Sequence, residues 1–251
     1  MMKQFRDRRV SLIAHRGWSN RFPENSMPAF EAAIAAGADE IEFDVQTSRD
    51  GIPMVCHDKT TDRVSDLSGS INSFDSDELR AANIKRGDGD ALLVGLGFPT
   101  LQEVLEAFYK RVIMNVHIKE LDPYKTALHL LASLDILTAR GIYIAGSVGI
   151  LEDAREVCPH IARCLIQGRK DTNIEQVFKN GAALGCTRIQ FYKGYHEDGD
   201  IKEARNRGFI PNLFWEDEPI AAEGAVKIGV LGLLTNDIGP IRNHLSQNGL
   251  L

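Results

Sequence analysis

Polar side chains recur at every second position of EIEFDVQ (40–46), so that Glu40, Glu42, Asp44 and Gln46 share one face of an extended strand and Ile41, Phe43 and Val45 the other. In a closed barrel the apolar face must meet the surrounding helices, which turns Glu42 and Asp44 inward. Two carboxylates held that close repel each other and lose hydration unless a proton or a cation intervenes, and a hard divalent ion satisfies both through oxygen. An antiparallel strand with one wetted face carries the same alternation, so this segment alone leaves both readings open.

A second segment, VIMNVHIK (112–119), sets Asn115, His117 and Lys119 on one face and Val112, Met114, Val116 and Ile118 on the other. Beside Glu42 and Asp44 that face makes a polar pocket where a core is expected, with His117 as a third metal ligand and Lys119 meeting an anion. Lys119 could instead only neutralise the acids as a buried ion pair, an alternative that leaves His117 without a role. His15 ends the apolar run LIAH, and His57 ends an extra short strand in MVCHD, so both can reach the same end of the sheet. Two imidazoles there suit proton transfer to and from a reacting oxygen near neutral pH. Asp58, next to His57, is expected on the opposite side of its strand. Arg16 offers a forked donor for a phosphoryl oxygen, and Trp215 and Tyr192 are candidates for pocket walls. The chain has no Walker loop, dinucleotide glycine fingerprint, G-x-S-x-G elbow or H-E-x-x-H.

The elements that must hold these residues alternate. Strand-like VSLIAH (10–15), EIEFDVQ (40–46), VIMNVHIK (112–119), GIYIAG (141–146), ARCLIQ (162–167), TRIQFY (187–192), IPNLFW (210–215) and VLGLLTN (230–236) are each followed by sequence of helical period. One long helix is expected over 125–138, and several helices end in glycine, at Gly37, Gly185, Gly208 and Gly229. Eight such units in 251 residues are the arithmetic of a (β/α)₈ TIM barrel in a single domain, 1–251. The alternation breaks at an insertion over about 51–97, rich in Ser, Asp and Gly; following the second strand, it should lie over the catalytic end of a barrel.

A net charge of −6 argues against nucleic acid or an anionic membrane as main partner and favours a small soluble substrate. The four cysteines have no C-x-x-C spacing and read as reduced, buried thiols. The basic N-terminus is followed by an apolar stretch of only Leu12 to Ala14, so no export signal, no membrane anchor and a cytoplasmic location are expected.

With HRG (15–17), PENS (23–26), AFEAAIAAGADEIEFDVQTSRDG (29–51), HD (57–58), FPTLQEVL (98–105), NVHIK (115–119) and the weaker LLTND (233–237), the chain resembles the glycerophosphodiester phosphodiesterase family over essentially its whole length. The resemblance implies a TIM barrel with a small insertion after the second strand, and metal-dependent hydrolysis of glycerophosphodiesters to glycerol 3-phosphate and an alcohol. It implies His15 and His57 as the acid/base pair, Glu42 and Asp44 as metal ligands, Arg16 and Lys119 as phosphate contacts, and Trp215 as the tryptophan near the seventh strand. Where the family usually has glutamate two residues before the lysine, this chain has His117, one negative charge fewer at the site. That departure moves the expected single divalent ion from Ca²⁺ toward Mg²⁺ first, then Mn²⁺ or a softer ion. The rival expectations are a lysophospholipase D-type enzyme on the same scaffold and an inactive barrel that binds a phosphodiester without cleaving it.

Overall fold

The computed structural model describes residues 9–85, 91–168 and 173–251. The chain runs through strand β1 (Ser11–His15), helix α1 (Met27–Ala35) and strand β2 (Glu40–Thr47) into the insertion. The insertion holds β3 (Pro53–Val55), a 3₁₀ turn (Ile71–Ser73), α2 (Ser76–Ala81) and the short antiparallel pair β4 (Ile84–Lys85) and β5 (Leu92–Leu93). After α3 (Leu101–Phe108) come β6 (Ile113–Ile118), α4 (Thr126–Ala132), α5 (Ile136–Ala139), β7 (Ile142–Gly146), α6 (Val148–Val157) and β8 (Ala162–Ile166). The remainder is α7 (Ile174–Ala183), β9 (Arg188–Tyr192), α8 (Asp198–Asn206), β10 (Ile210–Phe214), α9 (Pro219–Ile228), β11 (Gly232–Thr235) and α10 (Ile238–Gln247).

Eight parallel strands close on themselves, because β1 pairs with both β11 and β2 while β6 to β11 follow in order from β2. All eight strands expected from the sequence are present, as is the barrel. β3 adds to the far end of β2 in antiparallel fashion, with Val45 opposite Val55 and Thr47 opposite Pro53, so the insertion leaves from the end where the barrel strands finish. It has its own apolar cluster of Met54, Cys56, Ile71, Leu79, Ala82, Ile84 and Phe98, apart from the main core between strands and helices.

Local sequence explains the edges of these elements. Ser26 caps α1 by accepting the Ala29 N–H, and Pro28 occupies its first turn. Thr100 and Glu103 form a reciprocal capping box on α3. The helix expected over 125–138 is two: Asp135 accepts from the N–H groups of Leu137 and Thr138 and starts α5 afresh, since a short carboxylate competes with helix continuation.

Inside the barrel, the lowest layer is polar. Arg188 donates to Glu40 Oε1 at 2.9 Å, Tyr143 donates its hydroxyl to Glu40 Oε2 at 2.8 Å, and the guanidinium lies 4.4 Å from the Tyr143 ring centre. Arg188 also reaches Asn212 Oδ1 at 3.3 Å. The outward residues Ile41, Phe43 and Val45 join the main core, as the strand period demands, and leave Glu42 and Asp44 buried inside. All four cysteines are buried and unpaired. Among the described residues no helix is long and apolar enough to cross a membrane.

Candidate active site

Strand register brings the candidates together. His15 pairs with Glu42 across β1 and β2, and Asp44 pairs with His117 across β2 and β6. Asp44 is the centre of the group. Its carboxylate meets His117 Nδ1 at 3.1 Å, Lys119 Nζ at 3.2 Å and Arg16 Nε at 3.3 Å, and accepts from Asn25 Nδ2 at 3.1 Å. Glu42 lies 3.6 Å from His117 Nδ1, 3.9 Å from His15 Nε2, and accepts the Arg16 backbone N–H at 3.0 Å.

Burial alone would push the His117 imidazole down, but its hydrogen bonds to Asp44 and Glu42 outweigh this and raise it to about 9. Asp44 answers in kind: burial works to raise its carboxyl, yet His117, Lys119 and Arg16 hold it well below the ordinary carboxylate range. Without a metal, therefore, an imidazolium sits against the two acids. The donor atoms of Glu42, Asp44 and His117 lie within 4.8 Å of one another, and two buried carboxylates with one imidazole suit a divalent ion that takes mixed oxygen and nitrogen ligands.

The loop after β1 is shaped to aim Arg16. Arg16 and Gly17 both adopt positive φ, at 57° and 79°, and a Cβ on Gly17 would fall 2.7 Å from the Ala29 backbone at the start of α1. Only glycine permits that approach, and the left-handed Arg16 folds its guanidinium back toward the carboxylates, a strained conformation held by the closing loop. His15 is 5 % exposed, and burial lowers its pKa against the opposing pull of Glu42, which favours the uncharged ring. Phe214 packs edge-on against it at 4.7 Å, and Trp215 stacks at 6.0 Å and 18°. Tyr192 supports Phe214 edge-on at 5.1 Å and belongs to the same wall.

His57 lies two residues past the end of β3, in a bend, and its side chain is 29 % exposed. Its carbonyl accepts from Lys119 Nζ and Gln46 Nε2, both at 3.2 Å, which fastens the insertion to the barrel mouth. Contrary to expectation, Asp58 does not face away. Strand alternation no longer applies past Val55, and Asp58 Oδ1 turns back to His57 Nδ1 at 2.6 Å. Arg63 then holds Asp58 at 2.6 Å and grips both oxygens of Glu24, which in turn accepts from Arg16 at 3.0 Å. Glu24 and Arg63 carried no role in the sequence reading. Glu24 sits inside PENS, a signal available in principle, whereas the clasp with Arg63 spans 39 positions and has no local pattern.

Known proteins resemble this chain. The family model described as the glycerophosphoryl diester phosphodiesterase family matches residues 15–240. The uncharacterized protein YqiK of Bacillus subtilis (strain 168) is 41% identical over 111 residues, 44% of this chain and 45% of that protein. A glycerophosphodiester phosphodiesterase of Caldanaerobacter subterraneus subsp. tengcongensis is 42% identical over 111 residues, 43% of this chain and 44% of its own length. The chain thus spans about half the length of the curated relatives it matches. Among solved structures, an Oleispira antarctica phosphodiesterase in complex with the product sn-glycerol-3-phosphate superposes with a TM-score of 0.80 at 20% identity, covering 94% of this chain and 96% of that one. At that identity the likeness speaks for the fold.

Proposed function

The chain belongs to the glycerophosphoryl diester phosphodiesterase family, and from that premise we propose that it hydrolyses glycerophosphodiesters to glycerol 3-phosphate and an alcohol. The observation that carries this reading is the gathering of Arg16, His117 and Lys119 round the buried Asp44 carboxylate, with His15 within 4 Å of the neighbouring Glu42. One divalent ion, Mg²⁺ first and Mn²⁺ or Ca²⁺ after it, would be held by Glu42, Asp44 and His117 and would supply Lewis-acid neutralisation of phosphoryl charge. Arg16 and Lys119 then bind the non-bridging oxygens with charged N–H donors.

The two histidines divide the proton work. Arg16 Nε donates to the His15 Nε2 at 3.1 Å, which marks that nitrogen as the lone-pair side; with Arg16 turned to a phosphoryl oxygen, that lone pair is open to take the proton of the attacking hydroxyl. That hydroxyl belongs to water, which gives glycerol 3-phosphate directly, or to the substrate's own neighbouring alcohol, which gives a cyclic phosphate whose ring ester a water then opens to glycerol 3-phosphate. As its oxygen bonds to phosphorus, the ester P–O bond breaks, and the departing alkoxide takes a proton from His57, whose ring Asp58 Oδ1 holds at Nδ1 at 2.6 Å. Trp215, exposed at the rim and stacked on His15, offers an apolar wall to the organic part of the substrate.

The test is release of glycerol 3-phosphate from glycerophosphocholine and glycerophosphoethanolamine by EDTA-stripped protein, with Mg²⁺, Mn²⁺, Ca²⁺ or Zn²⁺ restored and His15→Ala as control. Turnover that returns with metal and is lost in the control supports the reading. Absence of turnover with every ion, alongside intact metal binding, refutes it.

A further inference from the structure

Behind His15, on the side away from the carboxylates, lies a chain of hydrogen bonds with no part in the steps above. His15 Nδ1 is 2.7 Å from Asn236 Oδ1, and Asn236 Nδ2 donates to Asp217 Oδ2 at 2.7 Å. The other Asp217 oxygen accepts from the Asn236 backbone N–H at 2.7 Å and from the Thr235 hydroxyl at 2.8 Å. The Trp215 indole N–H also donates to Asp217 Oδ2, at 2.9 Å. These residues leave the ends of β10 and β11, beside the wall that Phe214 and Trp215 build against His15.

The chemistry of this chain has one direction. An ionised carboxylate only accepts, so the amide group of Asn236 that faces Asp217 is its NH₂, and its carbonyl is turned to the imidazole. A carbonyl also only accepts, so Nδ1 of His15 carries the proton. The opposite nitrogen gives the same answer independently, because the guanidinium at Nε2 is a permanent donor and requires a lone pair there.

We propose that Asp217 is a positioning residue: through Asn236 it holds His15 in the Nδ1–H tautomer with the Nε2 lone pair toward Glu42, and through the Trp215 indole it holds the ring stacked on that imidazole. This rests on His15 as the proton acceptor of the reaction proposed above. Asp217→Asn reverses the chain, because an amide N–H at that position drives the Asn236 amide to turn over and present its own N–H to His15 Nδ1. The ring must then carry its proton on Nε2, where the acceptor is needed and where Arg16 already donates.

The experiment is long-range ¹H–¹⁵N correlation of the histidine rings in metal-free protein, with His15 assigned by its loss in His15→Gln, together with steady-state kinetics of the metal-restored enzyme. Asp217→Asn should move His15 from the Nδ1–H to the Nε2–H pattern and lower kcat by about a hundredfold or more with KM within a few-fold, as loss of the correct tautomer does in other triads. The exchange Asp217→Asn with Asn236→Asp restores donor and acceptor order and should return the Nδ1–H pattern and recover part of kcat. Should Asp217→Asn not fold, Asn236→Leu on an Arg16→Met background, where neither neighbour fixes the ring, should mix the Nδ1–H and Nε2–H patterns, against the Nδ1–H pattern of Arg16→Met alone. An Nδ1–H pattern that persists in Asp217→Asn, or in Asn236→Leu on the Arg16→Met background, overturns the proposal. A tautomer that shifts while kcat stays within threefold overturns instead the assignment of His15 as proton acceptor.

Discussion

Replacing Arg188 with methionine strips the counter-charge from Glu40, which is fully buried in the lowest layer of the barrel. The wild-type guanidinium makes a 2.9 Å bond to Glu40, a 3.3 Å bond to Asn212 and a 4.4 Å approach to the Tyr143 ring. In Arg188→Met the carboxylate keeps only the Tyr143 hydroxyl. Breaking one side of a buried pair costs about 3–5 kcal/mol, because the remaining charge stays desolvated without its partner. At roughly 2–4 °C per kcal/mol for a chain of this size, the midpoint of thermal unfolding should fall by about 6–20 °C. Methionine follows the stem of arginine closely, so little of this loss is packing. The double variant Arg188→Met with Glu40→Gln removes the stranded charge and should recover most of the drop, since exchanging a whole buried pair for neutral groups is often close to neutral. Circular dichroism melts of the three variants and wild type complete a double-mutant cycle. A fall under about 3 °C in Arg188→Met, or a double variant as unstable as the two singles summed, would refute the reasoning, since a buried stranded charge costs several kcal/mol.

Other outcomes follow from the site. His15→Ala and His57→Ala should each lower kcat by about 10²- to 10⁴-fold with small changes in KM, the range for acid–base groups; steady-state kinetics on glycerophosphocholine check this, and an equal fall in binding would contradict it. His117→Glu adds a carboxylate to the Glu42–Asp44 pair and should tighten Ca²⁺ binding by roughly tenfold or more, read by titration calorimetry on the stripped protein; unchanged Ca²⁺ affinity would remove His117 from the ligand set. Burial pushes the thiols of Cys158 and Cys186 to about 11 and that of Cys56 to about 12, and Cys164 is raised likewise. At pH 8 a thiol at about 11 is on the order of a thousandth ionised, so a disulfide reagent should react slowly with the native protein and with four thiols once it is unfolded. Rapid reaction of any one thiol in the native state would contradict that burial.

The strands were legible because a barrel imposes a strict period: every second residue of EIEFDVQ and NVHIK had to face inward, and the polar ones did. The same rule misplaced Asp58, since it holds only while the chain is extended, and β3 ends at Val55. The break at Asp135 was harder to see, because its flanking residues keep a helical apolar period and only the carboxylate's capping bonds divide them. Glu24, Arg63, Asn25, Asp217 and Asn236 were missed for one reason. Each acts by a side-chain hydrogen bond across the barrel mouth, between positions far apart in the chain, and no periodicity records such pairs. Arg16 was noticed as a donor, but its left-handed backbone, which makes the aim, is set by the closeness of Gly17 to α1.

The polar lowest layer has a consequence for traffic. With Glu40, Arg188, Tyr143 and Asn212 locked together across it, the barrel is stoppered at that end, so in the reaction proposed above water, diester, alcohol and glycerol 3-phosphate would all come and go at the opposite mouth. That mouth is framed on one side by the insertion, riveted in place through His57, Lys119 and the grip of Arg63 on Glu24. In that reaction a product still at the mouth would compete with the incoming diester for the same rim, where the Trp215 indole is exposed.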